Sequence, residues 1–154
     1  MALRIYNTYS KSVEEFQPIE DKKVKMYVCG PTVYNYFHIG NARPLLMFDL
    51  FRRYLMYRGY NVRYVVNITD IDDKIIKAAN QENKTTNEVA SKYTQAYFED
   101  CAKLRISKPD VSPKATDHIK EMIDLVKELV DKGVAYNIDG DVFFDVKKLP
   151  QYGK

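Results

Sequence analysis

The tripeptide Cys29-Gly30-Pro31 constrains this chain more than any other stretch, because it ends a strand and forbids its continuation. Lys25-Met26-Tyr27-Val28 before it is a short β-prone run. Proline has no N–H for a sheet ladder and glycine favours a turn, so the backbone must leave the sheet there. From Ala42 onward apolar residues recur at helical spacing, at Leu45, Phe48, Leu50, Phe51 and Leu55, and Gly59 after Arg58 reads as a stop beyond the last turn. Asn61 to Ile68 is rich in β-branched and aromatic residues and reads as a mostly buried strand. A strand, helix and strand of this length predict an α/β fold with a right-handed βαβ unit and a parallel pair. Ligands bind beyond the carboxyl ends of such strands, which puts Cys29-Gly30 and Thr69-Asp70 on one rim.

Between the first strand and the helix sits His38-Ile39-Gly40-Asn41. The first turn of a helix carries partial positive charge and unpaired N–H groups, so it attracts phosphate. Gly40 would give a nucleotide clearance, while His38 and Asn41 would offer side-chain donors. As a bare pattern this is weak, and a loop histidine, a turn glycine and an Asn helix cap explain it without a ligand.

Three blocks together carry a resemblance. Cys29-Gly30-Pro31-Thr32-Val33-Tyr34, then His38-Ile39-Gly40-Asn41-Ala42-Arg43-Pro44, then Asn67-Ile68-Thr69-Asp70-Ile71-Asp72-Asp73-Lys74 resemble the N-terminal part of the cysteinyl-tRNA synthetases, collinearly from about Leu3 onward. The family signature is usually His-Ile-Gly-His; Asn41 stands in the last place, which keeps a donor and removes an imidazole. The resemblance implies the first half of a class I synthetase Rossmann-like nucleotide-binding fold over residues 1–112. Residues 113–154 would then be a helix and hairpin beginning the connective-peptide insertion. The family's Lys-Met-Ser-Lys-Ser loop, later metal ligands and anticodon-binding domain have no counterpart here, so the chain is expected to be an incomplete part of the enzyme and inactive alone.

The resemblance further implies ATP-dependent activation of cysteine to cysteinyl-adenylate, with Mg2+ accompanying ATP, and transfer to tRNA(Cys). His38 and Asn41 become the catalytic donors, and Tyr34, His38, Gly40 and Asn41 the ATP contacts. Gly30, Thr32 and Thr69 become substrate contacts. Cys29 becomes one zinc ligand. Zinc suits the selectivity problem, since a pocket built on shape rejects near-isosteres such as serine by only about a hundredfold, whereas a soft metal prefers thiolate to alcohol. Without the surrounding motif Cys29 would read as a buried structural cysteine. Three other readings stay open: a cysteine ligase that joins cysteine to a glucosaminyl-inositol acceptor, a nucleotidyltransferase sharing the His-x-Gly-x turn, and a non-catalytic nucleotide-binding fragment.

The rest of the chain reads as scaffold. Leu3 to Phe16 fits a β-hairpin that would extend the sheet edge. Thr69 and Asp70 could cap a helix from Ile71 to about Asn80, with Asp72 and Asp73 in its first turn; no protein-held magnesium site is assigned to them. Thr85-Thr86-Asn87-Glu88 opens a long helix whose face Val89, Tyr93, Ala96, Tyr97, Ala102 and Leu104 reads as core, with Cys101 among it. Pro109 and Pro113 frame a turn-rich break before an amphipathic helix marked by Ile119, Met122, Ile123, Val126, Leu129 and Val130, and Asp139-Gly140 centres a hairpin. His118 has no cysteine or second histidine at ligand spacing.

Between Lys22 and Arg63 eight basic residues outnumber Asp49, which suits an anionic ligand, although Arg52 and Arg53 read as a solvated helix face. Two cysteines and no apolar leader favour free thiols in a reducing cytoplasm, and no apolar run approaches the roughly 20 residues of a membrane helix. We therefore expect a cytoplasmic monomer with no membrane attachment.

Overall fold

Strand β4 (Asn61–Val66) buries Val62, Tyr64 and Val66 on one face, the alternation that β-branched and aromatic residues give on a half-covered sheet. In the computed structural model, which describes residues 2–153, β4 pairs in parallel with β3 (Lys23–Val28), in register from Lys23 opposite Asn61 to Val28 opposite Val66. Helix α1 (Ile39–Tyr57) makes the crossover. On its other edge β4 meets an extended segment that the prolines had marked as a turn: the Val66 N–H donates to the Val111 carbonyl at 3.1 Å and the Ile68 N–H to the Pro113 carbonyl at 2.8 Å. Proline lacks a donor but keeps its acceptor, so it can serve at such an edge. The N-terminal hairpin, β1 (Arg4–Asn7) with β2 (Ser12–Glu15), forms its own two-stranded sheet and does not extend the β3–β4 edge.

The buried face of α1 is not the expected one. Ala42, Leu45, Asp49, Arg52 and Leu55 are buried, while Phe48 and Leu50 are exposed. The spacing is helical, but the stripe contains an acid and a base that find partners in the loop 105–110. Arg52 donates to the Lys108 carbonyl at 2.9 Å and to Asp110 Oδ1 at 2.8 Å, and lies 5.3 Å from the centre of the Tyr64 ring. The second oxygen of Asp110 accepts the Tyr64 N–H. Asp49 accepts from Arg53 Nε at 2.7 Å and from the Ser107 N–H at 3.0 Å. Burial works to raise the Asp49 pKa, but these hydrogen bonds outweigh it and hold the carboxyl below its ordinary value. Arg52 is therefore structural and not solvated, and Arg53, half exposed, is tied to Asp49.

Helices α2 (Asp73–Glu82) and α3 (Thr86–Lys103) complete the core around Val33, Leu45, Ile68, Ile75, Val89 and Tyr97. The cap of α2 is Asp72, which accepts the Lys74 N–H at 2.8 Å. Thr69 cannot cap it because its backbone is still paired at the sheet rim with Pro31 and Val33. Thr85 and Glu88 close the expected capping box of α3. Cys101 is buried, but Ala102 and Leu104 are exposed, since α3 ends at Lys103 and leaves the core there.

Residues Lys114–Lys154 form a second unit, with α4 (Ile119–Asp131) and the hairpin β5 (Ala135–Ile138) to β6 (Asp141–Phe144). Asp139 and Gly140 both take positive φ, 52° and 96°, as a two-residue hairpin turn of this hand requires. His118 is exposed, 3.9 Å from Glu121.

Candidate functional site

The rim residues assemble from two directions. On one side the chain leaving β3 stays bound to the chain leaving β4: the Thr69 N–H donates to the Pro31 carbonyl at 3.0 Å, the Val33 N–H to the Thr69 carbonyl at 3.2 Å, and Thr32 bridges Thr69 in parallel. The Gly30 N–H donates to Asn67 Oδ1 at 2.8 Å. A Cβ at Gly30 would stand 1.6 Å from the Asn67 carbonyl oxygen, so only glycine fits this approach.

On the other side His38 is the N-cap of α1. Its Nδ1 accepts the Gly40 N–H at 2.9 Å, and Asn41 Oδ1 accepts the His38 N–H at 3.2 Å. A backbone N–H can only donate, so Nδ1 is unprotonated and Nε2 carries the ring proton. Likewise Asn41 keeps its NH2 as the outward group. Both side chains therefore present donors, through atoms that sequence could not specify. A Cβ at Gly40 would meet His38 Cε1 at 2.6 Å, so the His38 ring lies against this turn.

Gly30, Thr32, Tyr34 and Asn41 line one cleft of about 250 Å³, with Lys74 and Tyr93 on its walls. Cys29, His38, Gly40 and Thr69 are not among its lining residues. Lys74 and Tyr93 were not anticipated as site residues. The Lys74 ammonium lies 5.5 Å from the centre of the Tyr34 ring, and Tyr36 meets Tyr93 edge to face at 5.3 Å. Tyr93 is anchored by donating to Glu82 at 2.7 Å. Lys84, then Tyr93 and Lys92, hold the Glu82 carboxyl down to about 2. The signal for Lys74 was its place in the first turn after Asp72; nothing in the local pattern marks Tyr93.

Among the described residues no group of three or more His, Cys, Asp or Glu could hold a metal ion. Cys29 is exposed, and its Sγ reaches only the Gly30 carbonyl, at 3.8 Å. Zinc takes three or four protein ligands, so the donor set of this chain does not fit a zinc site by itself. No helix among the described residues is long and apolar enough to cross a membrane.

Comparison with known proteins matches residues 15–154 to the family of tRNA synthetases class I (C) catalytic domain. A Cysteine--tRNA ligase of Clostridioides difficile is 56% identical over 152 residues, 99% of this chain and 33% of that protein. One from Desulfitobacterium hafniense is 56% identical over 154 residues, 100% of this chain and 32% of that protein. The chain thus spans about a third of the length of the curated relatives it matches. Among solved structures, a Mycobacterium tuberculosis methionyl-tRNA synthetase in complex with methionyl-adenylate aligns with a TM-score of 0.68 at 20% identity, over 74% of this chain and 23% of the other. At that identity the likeness concerns the fold, an α/β arrangement with parallel strands.

Proposed function

The chain belongs to the class I (C) tRNA synthetase catalytic-domain family, and from that premise we propose that it carries part of a site that activates cysteine with ATP and transfers it to tRNA(Cys). The observation that carries the reading is that Gly30, Thr32 and Tyr34 from the loop that leaves β3 share one cleft with Asn41 from the first turn of α1. Activation is attack of the cysteine carboxylate on the α-phosphate of ATP. It needs no covalent enzyme intermediate, so positioning and donors aimed at developing charge do the work. His38 Nε2–H and the Asn41 NH2 are those donors. Tyr34 and Gly40 complete the nucleotide side, the latter by letting the His38 ring lie flat on the turn. Gly30, Thr32 and Thr69 form the amino-acid side. Cys29 would supply one ligand toward zinc, and zinc, when bound, would select thiolate over hydroxyl as a soft metal. We place the protein in the cytoplasm, with magnesium accompanying ATP.

The test is ATP–pyrophosphate exchange by the full-length protein with cysteine against serine, followed by addition of tRNA or of glucosaminyl-inositol. Cysteine-dependent exchange and charging of tRNA support the reading. Consumption of the adenylate by the amino sugar would assign the related ligase, and nucleotide binding without exchange would leave a binding module. Cys29→Ser should lower zinc stoichiometry and erase much of the preference over serine; unchanged zinc content would make Cys29 structural. The 154-residue segment alone, with one thiol donor and one side of the phosphate site, is expected to show no exchange.

A further inference from the structure

Asn67 directly follows β4, and its side chain makes three hydrogen bonds there. Oδ1 accepts from the Gly30 N–H at 2.8 Å and from the Tyr27 hydroxyl at 2.9 Å, and Nδ2 donates to Thr69 Oγ1 at 3.2 Å. The orientation of an amide side chain is normally a choice, but here it is forced, because the atom facing the Gly30 N–H must be an acceptor. Two consequences follow from that polarity. Tyr27 can only donate, and Thr69 Oγ1 can only accept from Asn67. The Thr69 hydroxyl proton is therefore directed elsewhere.

We propose that Asn67, on the rim behind the cleft that Gly30 and Thr32 line, is the positioning residue of the amino-acid side, holding the Cys29–Gly30 turn through its oxygen and, through its NH2, presenting the Thr69 hydroxyl at the edge of that cleft as a donor to an acceptor atom of the bound amino acid. This rests on the functional reading above. It extends it by dividing the site into two independently supported halves, since His38 to Asn41 are held by their own cap and have no hydrogen bond to Asn67. A change at Asn67 acts on the amino acid and spares ATP.

The test uses Asn67→Ala and Asn67→Asp in the full-length protein, with two readouts. Hydrogen exchange of the peptide containing Gly30 should be about tenfold faster in Asn67→Ala, which loses the acceptor, and unchanged in Asn67→Asp, which keeps it. In pyrophosphate exchange the KM for cysteine should rise about tenfold in both, because a carboxylate at 67 turns the Thr69 hydroxyl inward, while the KM for ATP stays within about twofold. A merely structural asparagine would move both KM values together, and that result overturns the proposal. So does unchanged Gly30 exchange in Asn67→Ala, or a normal cysteine KM in Asn67→Asp. Should Asn67→Ala not fold, Tyr27→Phe at an exposed tyrosine removes one donor to the same oxygen; a rise of about twofold in cysteine KM alone supports the proposal, and none overturns it. If the wild-type protein shows no cysteine-dependent exchange, the functional reading fails, and Gly30 exchange alone decides whether Asn67 holds the turn.

Discussion

The two sides of the cleft are built by opposite means. The strand-end side is closed across the fold, with Gly30 and Asn67 separated by 37 residues, whereas the helix-start side is closed within a few residues, His38 bonding to positions 40 and 41. One is fixed by backbone pairing and a forbidden Cβ, the other by side chains that cap a helix. The difference teaches where each side is fragile: the first cannot tolerate volume, and the second can lose chemistry while keeping its shape.

Gly30→Ala should give the largest effect. The new Cβ would clash with backbone that cannot move without breaking the rim, so we expect a loss of about 3 kcal/mol or more in chemical denaturation, together with loss of exchange activity. A normal thermal midpoint would show that the two turns are not locked as described. His38→Ala should cost about 1 kcal/mol through the lost cap. It should also lower the rate of adenylate formation by about 10²–10³. His38→Asn restores a capping acceptor without the ring, so stability should recover and rate should not; recovery of both would reduce His38 to a cap.

Gly40→Ala sharpens the contrast with Gly30, because its Cβ meets only a side chain that can swing away; about 1 kcal/mol or less is expected, with activity falling more than stability. The smallest effect belongs to the far wall. The folded Glu82 carboxyl sits at about 2 against an ordinary 4.5, so its contribution is complete above pH 4.5 and fades as pH falls toward 2. The midpoint difference between wild type and Glu82→Gln should therefore shrink between pH 5 and about 2. A constant difference would detach Glu82 ionisation from the anchoring of Tyr93.

Local signals were legible and long-range ones were not. The strand ending at Val28, the Thr85–Glu88 cap and the Asp139-Gly140 turn follow from residue types a few positions apart, and the parallel partner from the strand–helix–strand order those signals set. The buried face of α1 is not legible in its own residues, because Asp49 and Arg52 are covered by the loop that carries Ser107, Lys108 and Asp110, more than 50 residues away. From residue types His38 reads as a loop donor, yet it caps α1 through a contact only two residues away. The side-chain acceptor that caps α1 is an imidazole nitrogen rather than the usual Ser, Thr, Asp or Asn oxygen, which is why residue type alone does not mark it. Lys74 is marked locally by the Asp72 cap, but Tyr93 reaches the cleft through the packing of α3 on α2, which no local pattern encodes.

The parallel pair also sets a timetable. A contact between Gly30 and Asn67 must wait until the whole α1 crossover has been made and closed, and loop closure on that scale is slower than forming a helical turn. The His38 cap can form as soon as Asn41 has emerged from the ribosome. A nascent chain of this sequence therefore acquires the turn proposed for the nucleotide well before the turn proposed for the amino acid, and pulse-labelled hydrogen exchange during refolding should find the Gly40 amide protected before that of Gly30.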